Sequence, residues 1–367
     1  MSFRFLLLIS IFFLISDCVE PYGFRIVNDQ SSLVIESHIS NVSHNETKNY
    51  PSNGRYFNVK LSNTSDVINI KNSPVSYATI ILYNDSGEYW MYTEKPLGSG
   101  VYYLFDDEFK ASINQEYKLT VNLLDGRMYE SSFEKINNQD IPKIGSIGFE
   151  EVIKQVYEYA AGEEIIVDKD GINVTIDVPR HGNENPIYYR WIFTPTWVFI
   201  APFGHSSQPG YKCWVESQFY LKDYALLEDN VGGYKKNLFF LETTRNNRIY
   251  ELFSVLITQY NMSQEYYNFW KELYEQAEKG GLFEAPPFNL KSNFTCINCD
   301  KNVSGYFAVV GEQARRWYFD KKELSYNVIN TLKADCSVPF QDPGPECFNC
   351  LEYPFGNSTD LKPEWWK

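Results

Sequence analysis

Histidine is scarce in this sequence, with four residues among 367. It is the side chain that most often moves protons near neutral pH, and it is a common metal ligand. His181 stands near Glu184 and His205 precedes Ser206, but no Gly-x-Ser-x-Gly motif accompanies either histidine. We therefore expect no catalytic residue, no resident metal and no cofactor.

Positive charge is also in short supply, because 47 acidic residues outnumber 33 basic ones and leave a formal net charge of −14. Such a surface repels the phosphate backbone, so nucleic acid is a poor partner. The basic segment Arg315-Arg316-Trp317 suits either an acidic lipid or protein partner, or a gatekeeper at a strand edge. The acidic segment Asp106-Asp107-Glu108 predicts a solvated turn, with a calcium site as the alternative.

The sequence has no apolar run of the length that spans a bilayer. Its N-terminal run, from Phe5 to Ile15 after a single cation, has the length and position of the apolar region of a signal peptide. We therefore predict a signal peptide over residues 1–17 and export of the mature chain.

The signal peptide leads into Leu14-Ile15-Ser16-Asp17-Cys18, which resembles a bacterial lipobox, although Asp17 stands where a small residue is usual. The thiol of Cys18 would receive a diacylglyceryl group, and the new amine a further acyl chain such as palmitate. Several chains anchor a protein far more firmly than one. We predict lipidation at Cys18 and a tether over residues 18–23. The alternative is an ordinary signal peptide cut nearby, with Cys18 free or in a disulfide.

Six further cysteines follow, and an even number in an exported chain predicts disulfides. Two pairs have C-x-x-C spacing, which also suits one shared zinc or a redox role. The disulfide pairing cannot be deduced from the sequence. The candidates are Cys213, Cys296, Cys299, Cys336, Cys347 and Cys350. All lie in the last half of the chain, so we expect them to stabilise only a C-terminal domain.

Residues 24–136 predict short strands separated by turns. The turn sequences Asn84-Asp85-Ser86-Gly87 and Asp125-Gly126 close two of them. The predicted strands lie at 32–38, 56–61, 78–83, 89–92, 100–104, 117–123 and from 128. Short strands at regular spacing predict an immunoglobulin-like β-sandwich.

Residues 137–148 contain Pro142, Gly145 and Gly148 and are predicted to be a linker. Beyond them, residues 149–367 predict a larger β-rich domain, stapled by disulfides. It opens on a short helical pattern at 150–159. Strands are predicted at 171–178, 188–193, 197–200, 236–241 and 250–260.

One amphipathic helix is inserted among these strands. Ser263 is a good N-cap, and Gly280 is a candidate C-terminal stop. The side chains between them recur at helical spacing and predict a core-facing stripe. This stripe consists of Tyr266, Phe269, Trp270, Leu273 and Ala277. The fold class is therefore mainly β.

Six segments, in order, resemble a family of Bacteroidota outer-membrane lipoproteins known as domain of unknown function 4249. They begin with Cys18-Val-Glu-Pro-Tyr22, similar to the family's lipidated N-terminus. The others are 189–193 with Trp197, 260–273, 281–287, Gly305-Tyr-Phe-Ala-Val-Val310, and the stretch from Cys347 to Trp366. The resemblance runs over nearly the whole chain.

The resemblance implies an outer-membrane lipoprotein whose gene lies beside that of a TonB-dependent receptor, and hence a partnership with such a receptor. It carries over no catalytic residues. Glu20 is the only acid close to Cys18, so display on the cell surface or on the periplasmic face stays open.

Three functional hypotheses follow, and the sequence identifies ligand-binding residues for none of them. The first is a non-catalytic accessory of a TonB-dependent transporter that captures substrate or acts as a lid. The second is a free-standing surface lipoprotein that binds a glycan or peptide. The third is a structural or adhesive surface protein.

Overall fold

The computed structural model describes residues 32–64, 73–136, 142–160, 162–217, 219–221, 224–278, 291–338 and 342–367. The predicted signal peptide, Cys18 with its tether, Gly280 and the segment 281–287 lie outside these residues. None of the helices within the described ranges is long and apolar enough to cross a bilayer.

The described part of the chain is mainly β, as predicted, with nineteen strands and three α-helices. The first nine strands are β1 (Leu33–Ser40), β2 (Asn58–Asn63), β3 (Ser73–Pro74), β4 (Thr79–Asn84), β5 (Tyr89–Met91), β6 (Thr93–Glu94), β7 (Val101–Tyr103), β8 (Tyr117–Asn122) and β9 (Met128–Ser131). The others are β10 (Ile147–Ala160), β11 (Glu163–Val178), β12 (Ile187–Ile200), β13 (Lys212–Glu216), β14 (Ala225–Asp229), β15 (Tyr234–Glu242), β16 (Leu252–Met262), β17 (Phe294–Cys296), β18 (Val303–Asp320) and β19 (Asn357–Thr359). The helices are α1 (His44–Thr47), α2 (Gln264–Glu278) and α3 (Leu332–Asp335).

The strands of the described residues form three sheets. The largest has eleven strands in the order β19-β13-β12-β16-β18-β1-β2-β7-β6, with β14 beside β12 and β3 beside β2. The second has the order β10-β11-β15, and the third has the order β17-β9-β8-β4-β5. Two of these sheets therefore combine strands from the two ends of the chain.

Strand β1 joins the two halves of the chain, because it pairs in parallel with β18 from Leu33↔Val303 to Ser40↔Val310. Gly305 has a positive φ of 100° in this pairing. A side chain there would clash with the backbone carbonyl of Ile35. Glycine is therefore the residue that lets the two strands approach.

The larger of the apolar cores lies between β12, β13 and β16 and the three-stranded sheet. It buries the rings of Trp191, Trp197 and Phe253, which face Ile172 and Val174 of β11. Full burial of one such side chain stabilises the fold by roughly 1.5–3 kcal/mol. This core fixes the position of β13, which carries one wall of the cleft described below.

A second core lies between β1, β2 and β7 on one side and the five-stranded sheet on the other. It contains Ile80 and Leu119 from the N-terminal part of the chain. Phe294, Phe307 and Val309, which follow in sequence much later, are buried in the same core. The core of the N-terminal strands is therefore completed by residues beyond 290. The predicted domain boundaries themselves stay a prediction.

The predicted helix over 150–159 is wrong, because these residues belong to strand β10. Strand β10 pairs with β11 without interruption, from Ile147↔Ile176 to Ala160↔Glu163. The spacing of Val152, Val156 and Tyr159 suits a helix locally, but the cross-strand ladder satisfies the same backbone groups. The last two residues of the predicted linker, Ile147 and Gly148, also lie in β10.

Two strands predicted at 188–193 and 197–200 are one continuous strand, β12. Pro195 lies inside it, between the residues that pair with β14 and those that pair with β13. Proline cannot donate a hydrogen bond to a ladder, so a change of partner strand is a suitable place for it.

Helix α2 begins after Ser263, whose Oγ accepts a hydrogen bond of 3.2 Å from the N–H of Tyr266. Tyr266 and Phe269 are buried against Tyr260 and Tyr306 of the large sheet. Of the predicted stripe, Tyr266, Phe269 and Trp270 therefore pack against the sheet, whereas the side chain of Ala277 lies outside the described part of the structure.

Candidate functional site

The six cysteines in the described part of the chain form three disulfides, as predicted: Cys213–Cys350, Cys296–Cys299 and Cys336–Cys347. The two C-x-x-C segments therefore do not share a zinc ion, because Cys347 and Cys350 bond to different partners. Within the described ranges, no three residues among His, Cys, Asp and Glu are grouped to hold a metal. The Cys296–Cys299 pair packs against the second core, among the N-terminal strands, and not in a separate C-terminal core.

The Cys213–Cys350 disulfide joins β13 to the C-terminal segment and thereby builds a cleft. Both cysteines are fully buried, and the N–H of Cys350 donates a 2.7 Å hydrogen bond to the carbonyl of Gly210. Strand β19 then pairs with β13 through Glu216↔Asn357 and its neighbours. The segment 354–357 is thus held beside the end of β13, and a gap remains between it and the residues that follow β13, with Arg248 also at its wall.

This gap is a cleft of about 470 Å³, within the size range of small-ligand sites. Two phenylalanine rings at the cleft, Phe219 and Phe355, are 89% and 62% exposed. Large apolar rings in such exposed positions often mark binding surfaces. The residues that line the cleft are Glu216, Ser217, Phe219, Tyr220, Arg248, Pro354, Phe355, Gly356 and Asn357.

Arg248 contributes a positive charge to the cleft. Its guanidinium lies 4.1 Å from the ring centre of Tyr220 and 5.3 Å from that of Trp197. It forms no ion pair within the part of the chain that the structure describes, and its Nε has no hydrogen-bond partner there. The aromatic faces stabilise the cation without neutralising it. A ligand carboxylate or hydroxyl could therefore pair with it.

Glu216 contributes a carboxyl group at the end of β13. Burial raises the pKa of Glu216, and the guanidinium of Arg316 acts in the opposite direction. Beside it, the Oγ of Ser217 accepts a hydrogen bond of 3.3 Å from the N–H of Tyr220. No histidine or cysteine is among the described residues that line the cleft. The arrangement is suited to binding an amphipathic ligand.

The two histidines singled out from the sequence lie in loops, each beside one polar partner. His181 Nε2 is 3.2 Å from a carboxylate oxygen of Asp229, which also accepts hydrogen bonds from Gly232 N–H and the hydroxyl of Tyr234. His205 Nδ1 is 2.8 Å from the hydroxyl of Ser207, two residues later. Neither histidine lines the cleft. Glu184 is exposed.

The acidic segment of residues 106–108 has a separate partner for each carboxylate. Asp106 accepts from the backbone N–H groups of Glu108 and Phe109, as in a tight turn. Asp107 accepts from the hydroxyl of Tyr56, and Glu108 from the side-chain amide of Asn45. The three carboxylates therefore have different partners, which fits the solvated turn.

The basic segment of residues 315–317 is used inside the molecule. Nε of Arg316 donates a 2.6 Å hydrogen bond to the carbonyl of Pro51, and its guanidinium lies 3.7 Å from the ring of Trp365. Burial lowers the pKa of Arg316 to about 10. The ring of Trp317 stacks with that of Phe319, while Arg315 is exposed. Arg316 thus connects residues near both ends of the described chain.

One buried polar cluster was missed by the sequence reading. Glu312 is 2% exposed and pairs with Arg55 at 2.5 Å, while the hydroxyl of Ser40 donates to the same carboxylate. Beside it, burial holds the pKa of His38 well below its usual value, and the charges of Arg55 and Arg190 act in the same direction. These residues are far apart in sequence. The only sequence signal was a charged residue, Glu312, at the end of an apolar run.

The model of a family described as a domain of unknown function, DUF4249, matches residues 19–316, which is well over half of the chain. No protein with a curated description and no solved structure matches it. The matched range includes β13 and Arg248 but ends before the segment 354–357 on the other side of the cleft. On the length of this match, the chain belongs to the DUF4249 family.

Proposed function

We propose that this protein is a non-catalytic, lipid-anchored accessory of a TonB-dependent transporter that captures the transporter's substrate in the cleft beside β13. In this proposal, acylated Cys18 holds the chain at the outer membrane. An immunoglobulin-like sandwich over residues 24–136 follows the tether. A larger β-rich unit with one inserted helix carries the cleft. The resemblance to Bacteroidota outer-membrane lipoproteins supports the membrane and the partner.

The cleft is the observation on which the binding role depends. Phe219 and Phe355 offer two apolar faces at its mouth, and Arg248 and Glu216 offer opposite charges. Aromatic faces with a few placed polar groups are the usual composition of a ligand site. A glycan or a short peptide has both the apolar faces and the polar groups that such a cleft can contact.

The partnership is tested by purifying the full-length protein from detergent-solubilised outer membranes of its native host. We expect a TonB-dependent receptor to co-purify in stoichiometric amount. Recovery of the protein with no β-barrel receptor at any salt concentration would contradict the accessory role.

The cleft is tested by calorimetric titration of the acyl-free chain with a panel of oligosaccharides and short peptides. For any probe that binds, the double variant Phe219→Ala/Phe355→Ala should weaken binding by at least about 30-fold, as loss of aromatic anchors does. The matched control is Phe133→Ala, which removes another exposed ring that does not line the cleft. Equal affinity of all three proteins for the probe would remove the cleft from the proposal.

The same cleft favours a second candidate, a free-standing surface lipoprotein that binds a glycan or peptide. The two candidates differ in the first experiment. Tight binding of a probe, together with no receptor in the membrane purification, supports the free-standing binder.

A further inference from the structure

Strands β10 and β11 extend beyond the body of the protein as a two-stranded ribbon. They pair with each other over their whole length, but β15 pairs with β11 only from Gly171 to Val178. The ribbon, residues 152–160 of β10 and 163–170 of β11, therefore has no third strand among the described residues. Nine residues on a strand correspond to about 30 Å. The ribbon is long enough to reach a surface that the body does not touch.

One face of this ribbon continues the face that packs in the larger core. Directly paired residues share a face, so Ile172 and Val174 lie on the same face as their β10 partners Glu151 and Phe149. Ile172 and Val174 are fully buried. At Glu151, both carboxylate oxygens accept hydrogen bonds from Ser325, one of them at 2.6 Å from its N–H. Beyond this point the face leaves the body.

The overhanging part of that face is apolar and open to solvent. It carries Ile153, Tyr157, Tyr159 and Ile166, which are 67%, 73%, 77% and 59% exposed. Half of the eight side chains on this face of the ribbon are therefore apolar and exposed, which is more apolar surface than a solvated ribbon needs. The backbone hydrogen bonds between β10 and β11 do not require apolar side chains at these positions. The composition therefore points to a surface that a binding partner covers.

The charges on that face are all negative. Glu164, Asp168 and Asp170 lie on it, opposite Tyr159, Gln155 and Ile153 in the ladder. The two ribbon lysines, Lys154 and Lys169, face each other on the other side. Lys169 pairs there with Glu158 and Glu242, at 2.5 and 3.2 Å, and Lys154 lies over the ring of Phe240. The apolar face therefore has an acidic margin with no cation.

We propose that this β10–β11 ribbon is a docking arm for a partner protein whose matching surface is apolar with lysine or arginine at its margin. A second copy of this chain would bring the same three carboxylates together, which is unfavourable. An anionic bilayer surface would repel them as well. If the proposed function holds, this partner is the transporter. Only this identification of the partner rests on the proposed function.

The first test is a photo-crosslink in intact cells of the native host. The full-length lipoprotein carries p-benzoylphenylalanine at Tyr157 or, as a control, at Tyr89, which is 63% exposed in the five-stranded sheet. We expect an adduct with the receptor from Tyr157 and none from Tyr89. An adduct only with a second copy or only with lipid, or no adduct at Tyr157, would overturn the docking arm.

The second test uses the variant Tyr157→Ser/Ile166→Ser/Glu164→Lys/Asp168→Lys. These side chains are exposed, so we expect an unchanged melting temperature and unchanged probe binding at the cleft, but a receptor recovery lower by at least about tenfold. The control Tyr89→Ser/Leu124→Ser should keep full recovery. Full recovery with the ribbon variant contradicts the arm and leaves the accessory role intact.

The two proposals can fail separately. If the wild-type protein recovers no receptor, the accessory role fails, and the crosslink alone decides on the arm. In that case a protein adduct at Tyr157 that disappears with Glu164→Lys/Asp168→Lys supports the arm. Its persistence with the reversed charges overturns the arm.

Discussion

At the scale of single residues, the buried charges distinguish this protein from a simple apolar β-structure. The carboxylate of Glu312 is almost completely buried and depends on Arg55 and Ser40 for its hydrogen bonds. Removing one partner of a buried ion pair leaves an uncompensated charge, which costs far more than losing an exposed pair.

The first prediction concerns Arg55. The variant Arg55→Met keeps the apolar stem but leaves Glu312 without its cation, so we expect a loss of about 3 kcal/mol in the free energy of unfolding. Urea denaturation monitored by tryptophan fluorescence measures it. The control is Lys60→Ala, because Lys60 and Glu36 are 4.0 Å apart and both largely exposed. That change should cost no more than about 1 kcal/mol. Equal losses in the two variants would contradict a special role for the buried pair.

The second prediction concerns His38 and pH. Burial lowers the pKa of His38 in the folded protein, whereas in the unfolded chain it is about 6.5. The unfolded state therefore binds more protons at His38 below that pH, so the contribution of His38 to stability is constant above about pH 6.5 and falls as the pH drops below it. The slope contributed by one group is at most about 1.4 kcal/mol per pH unit.

Urea denaturation at pH 8, 6.5 and 5.5 tests this, with His38→Phe as the comparison, since a phenyl ring can keep the edge contact with Tyr260. The variant should lose less stability between pH 6.5 and 5.5 than the wild type. The raised pKa values of Glu134 and Glu216 act in the opposite direction, but they are common to both proteins. Parallel pH profiles would show that His38 does not titrate as its burial requires.

At the scale of elements, the disulfides differ in how much chain they close. Cys213 and Cys350 are 137 residues apart, whereas Cys296 and Cys299 are three apart. The stabilisation expected from chain entropy rises with the length of the closed loop. The long-range disulfide also holds the two walls of the cleft together.

The third prediction compares two double variants. Cys213→Ala/Cys350→Ala should lower the free energy of unfolding by about 5 kcal/mol, and Cys296→Ala/Cys299→Ala by about 2 kcal/mol. Guanidinium denaturation measures both. The first variant should also weaken binding at the cleft, and the second should not. A larger loss of stability in the Cys296→Ala/Cys299→Ala variant would mean that local packing, and not loop closure, determines how much each disulfide stabilises the fold.

Local sequence patterns were sufficient to locate some of the strands and helices but not others. Strand β8 and helix α2 lie within a few residues of their predicted positions, because alternation and helical spacing report directly which face is buried. Strand β10 was mistaken for a helix because its outer half has no buried face to impose alternation. The continuity of β12 through Pro195 depends on a change of partner strand, which no local pattern encodes.

At the scale of the whole molecule, the predicted anchor at Cys18 would determine where the protein works. Residues 1–31 lie outside the described ranges, so Cys18 lipidation stays a prediction of the sequence. Acyl chains on one cysteine would hold the entire chain at a membrane and raise its local concentration beside a receptor.

The fourth prediction is therefore the fate of the protein when Cys18 is replaced. Cys18→Ser should release the protein into the soluble fraction of the native host, because no acyl chain can be attached. Asp17→Gly should remain membrane-bound and be processed at least as completely as the wild type. Fractionation with mass spectrometry of the mature N-terminus measures both. A wild-type protein that starts at another residue and carries no fatty acid would contradict the anchor.

The whole-molecule arrangement also explains why the candidate site could not be read from the sequence. Glu216, Arg248 and Phe355 lie on three separated segments with no shared motif. The Cys213–Cys350 disulfide and the pairing of β13 with β19 bring Phe355 to Glu216, and contacts with Tyr220 and Trp197 place Arg248 beside them. The cysteines were identifiable as disulfide residues, but six cysteines allow fifteen pairings. The ribbon could not be predicted from the sequence for a different reason. Its exposure depends on the residue at which β15 stops pairing with β11.

The sequence by itself determined the mainly β character, the use of six cysteines in disulfides and the position of helix α2, because each is reported by local composition or periodicity. The tertiary structure alone decided which cysteines pair, that β1 lies beside β18, that Arg55 meets Glu312, and that the β10–β11 ribbon leaves the body. These features depend on contacts between residues up to about three hundred positions apart. Such contacts are selected by the packing of the whole chain and leave no periodic signal in any short segment.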